Sequence, residues 1–168
     1  MATCSIPARR PACADRIGKE IPMADTTSNL NDLIETLHDG SRFYLDALTA
    51  VDDPDCKLLF QRMANGKREI AADLAAHIAA QGGETSTATT LAGSLRENYA
   101  KLRAALTDDK AGRYIAELED TEDRILRKFE DAASKNDDAV LMAIVGRHLP
   151  EVRAVHEQMR ILKKDRGY

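Results

Sequence analysis

Tryptophan is absent from the 168-residue chain, and aromatic side chains make up only 4% of it. β-Branched residues are also sparse, and Ala, Leu, Asp, Glu, Arg and Lys dominate. These residues lose little side-chain entropy in a helix, so the composition favours an all-α protein over a sheet. No apolar run approaches the roughly 18 residues that a membrane helix needs, which excludes a spanning segment of that kind. Concentrated Lys and Arg are missing as well. With a net charge of −4, the chain has no basic cluster for phosphate and is not expected to bind nucleic acid. Three cysteines, Cys4, Cys13 and Cys56, are dispersed without a CxxC pair. An odd, scattered set points to a reducing, cytoplasmic compartment rather than to a disulfide framework. Cys56, just after Pro54, reads either as a surface thiol or as one activated by a helix N-terminus. No substrate, cofactor or catalytic motif stands out.

What remains is an ordinary globular balance, 43% hydrophobic and 31% charged, in a length that suits one domain with one core. Residues 1–27 read differently from the rest. They hold three of the five prolines and no hydrophobic periodicity, and they lack the apolar stretch of a secretory signal. Arg9, Arg10, Arg16 and Lys19 give them a faint likeness to an organelle presequence. Met23, followed by a small Ala24, is the alternative start. The segment is expected to be a disordered extension.

From residue 28 to 165 helix punctuation is regular. Ser28 is expected to cap a first helix ending near Val51, with Leu30, Leu33, Ile34, Leu37, Ser41, Tyr44, Leu45 and Leu48 on its inner face. Asp53-Pro54 pairs an N-cap with proline at the first helical position. The second helix runs to Gln81 and ends at Gly82-Gly83. A polar loop, ETSTATT, leads into a shorter helix carrying Leu91, Leu95, Leu102 and Leu106. Asp108 or Asp109 caps the third long helix, which runs to about Ala133. After SKNDD the fourth extends from about Asp138 to Lys164. Pro150 lies within it and is expected to kink it rather than end it, because Val152, Val155, Met159 and Leu162 keep the apolar phase. Two tight turns and one long connection define an antiparallel four-helix bundle with one crossover.

On helical wheels two charged residues fall on apolar centre lines. Lys67 lies among Met63, Ile70 and Leu74, and Glu122 among Leu118, Ile125 and Phe129. With a crossover the second and third helices start at the same end, so both residues lie roughly 20 Å down the bundle, near each other. A buried lysine and a buried glutamate each disfavour their charge, and pairing relieves both. The alternatives are a lysine that snorkels to water or a catalytic amine. Tyr44 and Ser41 face the core, and Asp39 is expected to face away. His148 sits near the centre of its helix and His156 on one flank. Either can complete the polar set, and His156 is the better metal candidate. His38 and His77 read as surface or boundary residues.

The stretches NLNDLIETLHDGSRFY, LFQRMANGKREIAADLAAHIAAQGG, AELEDTEDRILRKFEDA and VRAVHEQMRILK resemble a bacterial ferritin-like domain of unknown function, a four-helix family often associated with stress responses. The resemblance implies a ferritin-like fold. In the wider ferritin and rubrerythrin group it implies a di-iron site, with a glutamate from two helices and Glu-x-x-His from the other two. Carried over residue by residue, the pattern breaks. Lys67 and Ile70 stand at the second-helix Glu-x-x-His positions, Arg153 stands where a glutamate should precede His156, and Leu37 stands at the first-helix glutamate. Only Glu122, Glu119 and His156 match ligand positions. The resemblance therefore implies a degenerate site without a favoured cofactor. Iron or manganese held by Glu119, Glu122 and His156 is the alternative. A protein partner or a second copy, meeting an outer helical face, is the expected partner.

Overall fold

The computed structural model describes residues 23–86, 110–135 and 138–165, together with residues 100 and 167. Four long helices account for nearly all of them: α1 (Met23–Ala50), α2 (Pro54–Ala80), α3 (Lys110–Lys135) and α4 (Ala139–Asp165). There is no strand among the described residues. The leucine-bearing segment of the long connection, the Asp108 and Asp109 cap and residues 1–22 lie outside the described residues.

Local chemistry sets the helix ends. Asp53 is extended at φ −63° and ψ 118°, and its carboxylate accepts from the N–H groups of Asp55 and Cys56. This satisfies two of the donors that a helix start leaves orphaned, and Pro54 has no N–H to satisfy. At the other end Gly82 takes φ +75°, the left-handed conformation that glycine adopts without steric penalty. The N–H of Gly83 then donates back to the Ile78 carbonyl. Asp138 caps α4 in the same way as Asp53 caps α2, accepting from Val140 and Leu141.

One boundary differs from expectation, and the helix through Pro150 is continuous as expected. α1 begins at Met23, so Ser28 lies inside the helix instead of capping it. No proline or glycine stands between Met23 and Ser28 to stop the helix earlier. α4 runs unbroken through Pro150. The residue whose carbonyl loses its partner there, Gly146, is exposed, so water can replace the missing N–H.

Long-range pairs give the topology. Asn31 of α1 donates to Glu84 beyond the end of α2, while Ser41 reaches Ala64 in mid-helix, so α1 and α2 are antiparallel. Phe43 packs on Tyr114 while Lys128 donates to Asp32, so α1 and α3 are antiparallel too. α4 is antiparallel to α2, through Arg62–Gln158 and Gln81–Asp138, and to α3, through Lys163–Glu119 and Arg153–Glu130. It follows that α2 and α3 are parallel and lie on a diagonal. The end of α2 and the start of α3 therefore lie at opposite ends of the bundle, about 40 Å apart for helices of this length. The first residues after α2 turn over α1, where Ser86 bonds Asn31 and Glu35.

The apolar interior falls into two clusters. One is built on Leu33, Ile34, Leu37, Ile70, Leu74, Ile125, Phe129 and Leu141. The other is built on Phe43, Tyr44, Phe60, Met63, Ile115, Leu118 and Met159. Each large aliphatic or aromatic side chain removed from water in this way contributes on the order of 1.5–3 kcal/mol. Between the clusters lies a single polar layer.

Candidate functional site: a buried ionic layer

That layer is placed by helical spacing. Lys67 follows Met63 and precedes Ile70 on α2, and Glu122 stands between Leu118 and Ile125 on α3. The parallel diagonal pair brings both to one level, and the side chains meet on the bundle axis. Lys67 Nζ lies 2.5 Å from Glu122 Oε1, with the two side chains 5% and 0% exposed. Tyr44, on α1, donates its hydroxyl to the same oxygen at 2.7 Å. Its ring also sits beneath the ammonium, with the centroid 5.0 Å from Nζ, which adds a cation–π attraction in a dry setting. Glu122 Oε2 has no hydrogen-bond partner among the described residues. A cavity of about 20 Å³ between α2 and α4, walled by Met63, Gly66, Ile70, Glu151, Val152 and Val155, reaches Lys67 and Glu122. It matches one water molecule in size.

Gly40 makes room for this arrangement, and the sequence reading missed it. A Cβ there would stand 3.1 Å from both Cδ and Cε of Lys67 and 3.3 Å from Ile125 Cδ1. The lysine stem crosses α1 where α1 has no side chain. The available signal was a glycine in mid-helix, which costs about 1 kcal/mol against alanine and calls for a packing reason.

The other polar candidates go elsewhere. His148 is buried but bonds Asp73 at 2.8 Å, so it does not join the Lys67–Glu122 level as a neighbour. His156 is partly exposed and faces Asp123 at 3.6 Å. Glu119 is held by Lys163 at 2.8 Å. Glu119, Glu122 and His156 are not brought together, and no three His, Cys, Asp or Glu side chains among the described residues form a group that could hold a metal ion. His77 is buried against Asp138, not at the surface, because the start of α4 folds over it. Asp39 is buried, not turned away, and Leu45 is exposed, not core. α1 packs on both α2 and α3, so its buried arc is wider than one stripe and is turned toward Phe43. Cys56 is buried too, with its thiol 3.5 Å from Asp53 Oδ2, and is not a surface thiol.

Burial, then the Glu122 charge and the hydrogen bond to it, push the Tyr44 phenol well above its ordinary value of 10.0. An unfolded chain loses that proton first. The contribution of the neutral phenol is therefore complete below pH 10 and is lost as pH rises beyond it. Tyr44→Phe is expected to lower stability at neutral pH by about 1–2 kcal/mol. It should also flatten the alkaline limb of a stability-versus-pH curve from urea melts. An alkaline limb identical in the two proteins would show that the hydroxyl carries no such linkage.

These features define an all-α, one-crossover four-helix bundle whose core is divided by a neutralised ionic layer. Residues 25–135 match a family described as Domain of unknown function (DUF2383), and the chain belongs to that family. No curated protein and no solved structure matches it. Among the described residues no helix is long and apolar enough to cross a membrane.

Proposed function

We propose that this chain is a non-enzymatic, ferritin-like helical-bundle protein, partner-binding or stress-associated, whose di-iron site is degenerate and filled by a lysine. The observation that carries the reading is Lys67 Nζ at 2.5 Å from Glu122 Oε1, on the bundle axis. The ammonium supplies positive charge where a metal would otherwise balance the carboxylate. A buried charge with its counter-charge in contact has no reason to recruit a cation. The one-crossover topology and the likeness of the helix sequences to the ferritin-like domain support the layout, and the same likeness supports a stress association. A reaction would need an open coordination site or an exposed nucleophile, and the layer offers a lysine already bonded and a phenol held in its protonated form.

The second reading, iron or manganese bound by Glu119, Glu122 and His156 with Lys67 swung outward, draws on Glu122 Oε2, unpartnered among the described residues. It requires the Glu119–Lys163 and His156–Asp123 pairs to break. Protein purified without chelator from cells supplied with iron and manganese separates the two. Elemental analysis should find far less than one metal ion per chain. Stoichiometric metal that disappears in His156→Ala would establish the second reading and sink the first.

A further inference from the structure

The outward face of α2 carries four residues at helical spacing i, i+3, i+4 and i+7: Asp55, Leu58, Leu59 and Arg62. Asp55 and Arg62 are exposed and Leu59 is half-buried. Leu58 is 74% exposed, the most exposed large apolar side chain among the described residues. These four, with Gln61 and Asn65 of α2 and Gln158 of α4, line an open groove of about 630 Å³ along the α2–α4 seam. That seam is the least closely packed of the four between adjacent helices. Ile161, one turn beyond Gln158 on α4, is 48% exposed and extends the apolar character of the same end.

The order of these residues is symmetric about the midpoint between Leu58 and Leu59. The acid lies three and a half residues to one side and the base three and a half to the other, with the leucines between them. Two α2 helices laid antiparallel about a two-fold axis at that midpoint would set Asp55 against the partner's Arg62. Leu58 would lie against the partner's Leu59, and each contact would occur twice. A patch complementary to itself under a two-fold rotation is what an isologous dimer requires. We infer that this face of α2 binds a second copy of the chain in an antiparallel, two-fold dimer. Leu58 enters the groove of the partner, and the paired charges fix the register. Arg62 is free to turn, since its bond to Gln158 is long at 3.5 Å.

Sedimentation equilibrium of the full chain tests this, and wild type should show twice the 18.5 kDa chain mass. Leu58→Asp, at a site too exposed to affect folding, should give the monomer mass. Asp55→Arg alone, or Arg62→Asp alone, places like charges in contact twice and should weaken the dimer about tenfold or more. The double variant Asp55→Arg/Arg62→Asp restores opposite charges and should recover the wild-type constant. It contains both surface changes, so recovery isolates the pairing from any effect on the helix. A monomeric wild type would overturn the proposal. So would a dimer untouched by Leu58→Asp, or a double variant no tighter than the singles.

Discussion

Glu122→Gln should be among the most damaging single substitutions in the bundle, with an expected loss of about 3–5 kcal/mol in urea unfolding at neutral pH. The amide keeps the shape of the carboxylate and can still accept from Tyr44, so the loss is not one of packing. It arises because Lys67, 5% exposed and enclosed by Met63 and Ile70, would keep a charge with no counter-charge in contact and little water to replace it. Removing the whole polar set should have the opposite outcome. In the triple variant Tyr44→Phe/Lys67→Met/Glu122→Met no buried charge or donor of the layer is left unsatisfied. Stability should then return to the wild-type value or exceed it by about 1–4 kcal/mol. The pairing of a large single loss with recovery in the triple variant is the diagnostic. A Glu122→Gln protein within about 1 kcal/mol of wild type would mean that the ammonium escapes to solvent by snorkelling.

Phe60→Ala should be comparably severe. Phe60 is fully buried, and its ring meets that of Tyr44 at 5.6 Å and 54°, so it walls the phenol that bonds Glu122. Truncation removes the transfer energy of the ring and leaves a cavity, together about 3–5 kcal/mol. The tilted aromatic pair adds about 1 kcal/mol. Because that cavity adjoins the ionic layer, the two sites should couple. Water admitted beside Tyr44 would solvate Lys67, so Glu122→Gln should be less costly in the Phe60→Ala background, by about 0.5–3 kcal/mol. Denaturant melts of the two singles and the double measure this directly. Strict additivity would show that the cavity stays dry and the layer is insulated from it.

The fold was readable where local chemistry decides it. Asp53-Pro54 and Gly82-Gly83 act through their own N–H groups and φ angles, and they need no tertiary partner to be recognised. The level of Lys67 and Glu122 was also readable, because both helices start at one end and position along a helix is a matter of counting. Reading failed where burial depends on a second neighbour. From single stripes Asp39 reads as outward and His77 as surface or boundary, although α1 is flanked on two sides and α4 begins over His77. His148 is buried as its helix position implies, but it does not complete the polar set, for a related reason. The depth of α4 is set by how Asp138 at its start seats against Gln81 and His77, a tertiary fact, and His148 comes out beside Asp73. Gly40 went unremarked because a missing side chain leaves no mark on a hydrophobic wheel.

Gly40 also constrains the order in which this interior can change over a lineage. The stem of Lys67 occupies the space that any larger residue at position 40 would need, as the 3.1 Å approaches show. Bulk at position 40 therefore requires the Lys67 stem to shift or to shorten, and shortening it deprives Glu122 of its counter-ion. Whichever of Lys67 and Glu122 changes first leaves the other buried without its counter-charge, and Gly40 gains bulk most easily last. The first of those steps is the one with the largest stability loss. The ionic layer is thus protected by the sequence of mutations required to remove it, whatever its present use.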